Sequence, residues 1–218
     1  MENITLECHL NTLSKIELLN YITSLERKRA QQSDCGDLLL ELGIVYHHLA
    51  QTGDKSALED CKEVFRELNQ QKPDDPIVLA YLGNILTWCG NLESAVHKKL
   101  KLTKQGIDSI DRAVALTPDN LAVRWVRAMN SYHLPSFFGR LEISRLDFEY
   151  IMTHPDFRRW SKEQQAMIYY RAGLTYKKDD DLERATQYFH QAMTIAPESD
   201  WAKKAEQEWK AQNGKVAK

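Results

Sequence analysis

Apolar residues recur along this chain at helical spacing, as pairs of stripes separated by short polar turns. The clearest pair lies near the C-terminus. Tyr169, Ala172, Gly173 and Tyr176 share one face of a first helix; Ala185, Phe189 and Ala192 share one face of a second, which Pro197 ends. Proline stops a helix because it has no N–H to donate and restricts the residue before it. Gly173, Ala185 and Ala192 are small where two helices must approach closely, and Phe189 fills the space between the two alanines. Weaker copies precede this pair. Leu39, Leu42, Gly43 and Tyr46 are followed by Cys61, Phe65 and Leu68, and then Pro73. Leu79, Leu82, Gly83 and Leu86 are followed by Gly106, Ile110 and Ala113, and then Pro118. In a third, divergent copy Ala128 takes the glycine position, and Arg124 and Arg127 stand where apolar residues belong. Two charges on a normally buried stripe need partners, and Asp147 and Glu149 on the next helix are the candidates.

The copies differ in length between their helices. The first has six extra residues relative to the last, placed in a longer turn from Gln51 to Ala57. The second has eleven. There Leu92, Val96, Leu100, Thr103, Ile107, Ile110 and Val114 follow one another at steps of four and three, which predicts one unbroken amphipathic helix from Asn91 to Leu116. Asp75 before Pro76 marks a helix start, and Gly90 a stop. Ser14 with Glu17, and Ser161 with Gln164, have capping-box spacing. The first box opens a helix from Ser14 to Gln31 with Ile16, Leu19, Ile22 and Leu25 on one face. A last helix, Ser199 to Gln212, carries Trp201, Ala205 and Trp209 on one face. Residues 1–12 show no clear pattern and read as a loose arm.

The paired stripes of the last copy resemble the tetratricopeptide repeat (TPR), a helix–turn–helix unit of about 34 residues; Ala172, where that family prefers Leu, is the one departure. The resemblance implies an all-α fold, a right-handed α-solenoid of helical hairpins with N- and C-terminal capping helices. It divides the chain into an arm and capping helix (1–33), four repeats (34–73, 74–118, 119–160 and 161–198), and a capping helix with tail (199–218). Arg124, Arg127 and the apolar loop Leu134–Arg140 look like features of bacterial TPR proteins without an assigned activity. The family implies a concave groove lined by the first helix of each pair, and an adaptor or scaffold role.

Composition narrows the picture. The chain of 218 residues has a net charge of −2, so no global field favours nucleic acid. The basic run His97-Lys98-Lys99-Leu100-Lys101 with Lys104 reads as a solvated helix face. No apolar run is long enough for a membrane span, and residues 1–5 do not read as a signal peptide. Cys8, Cys35, Cys61 and Cys89 lie far apart and suit reduced thiols in a cytoplasmic protein. No catalytic motif appears, so the expectation is not an enzyme, without cofactor or metal. His47 and His48 are adjacent and cannot share a helix face, and they read as groove-facing or solvated.

Counted from the repeat glycines, the offsets that face the groove in the family select Leu40, Ile44 and His47; Ala80, Asn84 and Trp88; Trp125, Met129 and Tyr132; and Tyr170, Leu174 and Lys177. Family members that hold a peptide carboxylate use a lysine and asparagines at such places. Here the lysine offsets carry Leu40, Ala80, Trp125 and Tyr170, and only Asn84 matches. The expected site is therefore Asn84, Trp88, Trp125, Met129, Tyr132, Tyr170 and Leu174, taking an apolar segment or helix of another protein. The alternative is a small apolar ligand in a pocket closed by the third repeat and the long helix. Self-association stays open.

Overall fold

The computed structural model describes residues 2–31 and 36–216; Cys35 and the junction of residues 33 and 34 lie outside them. Among the described residues are eleven α-helices, two 3₁₀ turns and no strand. The fold is all-α and of TPR type. It divides into two compact units. One comprises His9–Arg127; the other combines Glu2–Cys8 with the chain from Ala128 onward.

In the N-terminal unit, α2 (Lys15–Gln31) covers α3 (Gly36–Gln51), which pairs with α4 (Lys55–Gln71); α5 (Pro76–Leu92) pairs with α6 (Val96–Leu116). The Ser14 capping box forms. The Ser14 N–H donates to Glu17 Oε2 at 2.7 Å, and the Glu17 N–H to Ser14 Oγ at 3.4 Å. The buried ridge of α2 is Leu18, Ile22 and Leu25. Ile16 and Leu19, expected on that face, lie on its exposed flank. Asp54 and Asp75 cap α4 and α5, each accepting two backbone N–H groups of the first turn.

The six extra residues of the first repeat do not make a long turn. Only residues 52–54 separate α3 from α4, and the extra residues instead lengthen the two adjoining helix ends, α3 beyond Gly43 and α4 before Cys61. The eleven extra residues of the second behave alike. The continuous helix predicted from Asn91 begins at Val96, because α5 continues to Leu92 before the chain turns. Gly90 is not a stop but a contact point within α5. A Cβ built there would stand 2.6 Å from Thr103 Oγ1, and one at Gly83 would stand 2.5 Å from the Gly106 carbonyl oxygen. Thr103, Ile110 and Val114 of the long stripe are buried and Ile107 is half-buried, whereas Leu92, Val96 and Leu100 at the hairpin tip are exposed.

Helix α7 (Leu121–His133) runs from the first unit into the second. Arg124 donates from Nε to the Pro118 carbonyl at 2.6 Å. Arg127 is 3.5 Å from Asp111 on the preceding helix, an acceptor the sequence did not point to. Glu149 instead accepts from the Tyr176 hydroxyl and lies 3.5 Å from Arg184.

The C-terminal unit holds α8 (Leu141–Thr153), α9 (Lys162–Lys178), α10 (Leu182–Ile195) and α11 (Asp200–Val216). Ser144 Oγ donates to the Ala128 carbonyl at 2.9 Å, as Cys61 Sγ meets the Gly43 carbonyl at 3.4 Å in the first pair. A small polar side chain thus sits at both crossings. The loop before α8 forms a 3₁₀ turn, Ser136–Phe138, closed by Gly139 at φ 65°, a left-handed conformation that favours glycine. Ser161 and Gln164 complete the second capping box at the head of α9. Trp201 and Ala205 of α11 are fully buried. The first twelve residues are not a loose arm. Glu2–Leu10 forms α1, with Ile4 and Leu10 each 1% exposed.

Candidate functional site

Each unit carries some of the residues expected to bind a partner, placed on the first helix of a pair. In the N-terminal unit, His47 on α3 meets Asn84 and Trp88 on α5. Asn84 Nδ2 is 2.9 Å from His47 Nε2, and Gln51 Nε2 is 3.3 Å from His47 Nδ1. The Trp88 ring stands edge-on to His47, with centroids 5.6 Å apart. The spacing of whole helical turns between Asn84 and Trp88 puts both over the same partner helix. Both are half-buried, so each keeps surface for a ligand. His47 and His48 are buried rather than solvated. Trp125, also in this unit, is 3% exposed and offers no surface of the kind expected of it.

In the C-terminal unit, Met129, Tyr132, Tyr170 and Leu174 are half-buried. Tyr170 and Leu174 back onto the core of Tyr176, Ala185, Phe189, Ala192 and Ala205. That core explains the glycine: a Cβ on Gly173 would stand 2.6 Å from the Phe189 ring. Lys178 lies 4.9 Å from the Tyr132 ring centroid.

Beside these aromatics lies a cationic cluster that sequence reasoning missed. Arg171, next in the chain after Tyr170, places its guanidinium 5.7 Å from the Tyr170 ring and 5.5 Å from the Trp201 ring. Lys204 lies 4.3 Å from the Trp201 ring. Such placements over aromatic faces are attractive. Burial pushes the Arg171 pKa down, opposed by Tyr170, Tyr132 and the Glu7 carboxylate; a guanidinium stays charged through this. Burial likewise raises the Tyr132 and Tyr170 phenols. Lys177 pairs with Glu208 at 2.7 Å. The lysine offsets of the repeats held no cation, yet a cation stands one position further on. The clue available in the sequence was Arg171 beside Tyr170, with Trp201 and Lys204 three residues apart on one later helix. Aromatic faces, one amide and several cations make an arrangement suited to recognition.

The apolar loop Leu134–Arg140 leaves Phe137 71% exposed and its ring tilted against that of Phe138, with only Leu134 buried. No described helix is long and apolar enough to cross a membrane.

Residues 166–199 match the family model described as tetratricopeptide repeat. No curated protein matches the chain. Among solved structures, the chain is similar to TTC0263, a thermophilic TPR protein of Thermus thermophilus, with 12% identity and a TM-score of 0.68 over 88% of this chain and 94% of that one. At that identity the likeness concerns the fold. YrrB, described as a TPR protein with an unusual peptide-binding site, aligns at 20% identity and a TM-score of 0.49, over 91% of this chain and 88% of that one. MamA aligns at 15% identity and a TM-score of 0.47, over 84% and 85%.

Proposed function

For this tetratricopeptide-repeat protein, we propose a role as a non-enzymatic adaptor that binds an apolar segment or helix of another protein. Proteins of this fold serve in general as protein-interaction modules. The observation that carries the finer reading is the set of half-exposed aromatics on first helices: Trp88 with Asn84 in one unit, Tyr132 and Tyr170 in the other. Large aromatics with one apolar face and a polar tip are efficient binding anchors. Each of them here is held by its neighbours, so little side-chain entropy is lost on binding. Asn84 adds an amide for backbone hydrogen bonds. Met129 and Leu174 widen the apolar contact. The unpaired, buried thiols of Cys8 and Cys61 suit a reducing cytoplasm.

The test is affinity measurement on a partner identified by capture from the native cell. Trp88→Ala and Tyr170→Ala should each weaken binding by about 1–3 kcal/mol without unfolding the protein. Unchanged affinity for both, together with loss on changing Lys98, Lys101 and Lys104, would move the site to the basic face of α6.

A further inference from the structure

Helix α1 stands outside the repeat pattern, yet its residues Glu2–Cys8 belong to the C-terminal unit, while from His9 the chain belongs to the other. Its buried face is Ile4, Glu7 and Cys8, exposed by 1%, 6% and 7%. These positions are i, i+3 and i+4, one side of a helix. An acid at the centre of a buried face is what hid this helix from a search for apolar stripes.

The contacts of that face are specific. Gln164 Nε2 donates to Thr5 Oγ1 at 2.7 Å. Glu7, 6% exposed, lies close enough to the half-buried Arg171 for its carboxylate to favour the charged guanidinium. Cys8 lies near Trp201 and Glu163. Arg171 and Trp201 are the same residues that adjoin Tyr170 in the recognition surface. A helix is therefore already seated on part of that surface.

We propose that Glu2–Cys8 is a built-in ligand of the C-terminal unit. It occupies the place of a partner's short amphipathic helix that presents an aliphatic residue, an acid three positions on and a small apolar residue four positions on. The proposal rests on the reading of this surface as a recognition site. Two physical arguments separate a displaceable ligand from a fixed part of the core. A helix of nine residues is too short to persist by itself, so its order depends on the surface beneath it. A buried acid facing a nearby guanidinium also contributes little net stability compared with apolar packing, while penalising a ligand that lacks the acid. The pair therefore selects its ligand more than it holds it. A tethered arm competes at an effective concentration in the millimolar range, so it screens out weak ligands and yields to a better match.

The probe is a fluorescein-labelled synthetic peptide with the sequence of residues 1–13, titrated into the full chain and into an Ile4→Asp/Cys8→Asp full chain whose arm is released. The released chain should bind the peptide at least about tenfold more tightly than the parent. Adding Arg171→Glu should abolish binding, and a peptide carrying Glu7→Lys should restore it. Should Arg171→Glu not fold by circular dichroism, hydrogen exchange on the parent decides. Saturating peptide should then speed exchange of the chain's own amides 5–10. Equal or absent binding in parent and released chain, or exchange unaffected by the peptide, would overturn the proposal and leave α1 a fixed part of the unit. The adaptor reading would survive that result if a partner still depended on Trp88 and Tyr170.

Discussion

Asn84 on α5 reaches back to His47 on α3, joining two successive first helices side chain to side chain at 2.9 Å. His47 is 6% exposed, so its ring nitrogen cannot turn to water when that partner is lost. Asn84→Ala should therefore destabilise the protein by about 1–2 kcal/mol. Urea unfolding checks this: the midpoint should fall with an unchanged slope. A midpoint like the parent's would mean the pair is incidental.

The glycines of the helix crossings fall into two kinds with different predicted behaviour. At Gly43 and Gly173 a Cβ would meet an aromatic ring, Phe65 at 2.7 Å and Phe189 at 2.6 Å. At Gly83 it would meet the Gly106 backbone carbonyl at 2.5 Å. A ring can be trimmed, but a backbone cannot. Gly173→Leu should cost about 1–3 kcal/mol through overpacking. Gly173→Ala should be partly relieved by Phe189→Leu, whereas no side-chain change should relieve Gly83→Ala. Thermal melts of the single and double variants separate the two cases.

The acid limb of the stability curve should carry a contribution from Asp54. Hydrogen bonds from Ser56 and Lys15 and from the Ala57 backbone hold its pKa down at about 2, against about 3.9 for an ordinary Asp. A depressed folded pKa gives stability that is present above the unfolded value and lost as pH falls through the folded one. Asp54→Asn should thus flatten the pH dependence between about pH 4 and pH 2. Chemical denaturation repeated across that interval is the check, and a variant as acid-sensitive as the parent would contradict it.

The repeats were legible because their spacing is a packing requirement. Gly173 with Phe189, and Gly43 with Phe65, leave the same mark wherever two helices cross. What the pattern could not show was where added residues go. In both long repeats they extend the helices, since a helix that continues keeps its backbone hydrogen bonds satisfied and a longer turn would not. An apolar stripe also does not say where its partner ends, which is why Leu92, Val96 and Leu100 read as buried yet lie exposed. Arg124 and Arg127 were visible as anomalies, but contacts with Pro118 and Asp111 on the N-terminal side were not, because a long flexible side chain reaches either neighbouring element. In the site, His47, Asn84 and Trp88 came from one register count and do meet. Trp125 came from the same count and is buried, since an offset fixes a direction and not what covers it. Arg171, Trp201 and Glu7 escaped because their association is tertiary.

The central claim is that the half-exposed aromatics of the first helices form the contact with a partner protein. Site-specific photocrosslinking in the native cell tests it most directly. A photoreactive phenylalanine analogue is placed at Trp88, at Tyr170, at the exposed Phe137 and at Leu100 on the hairpin tip, one position per variant. The account predicts the same protein adduct at positions 88 and 170, with none at 137 or 100. An adduct confined to position 100 or 137, with positions 88 and 170 silent in a folded protein, would contradict it.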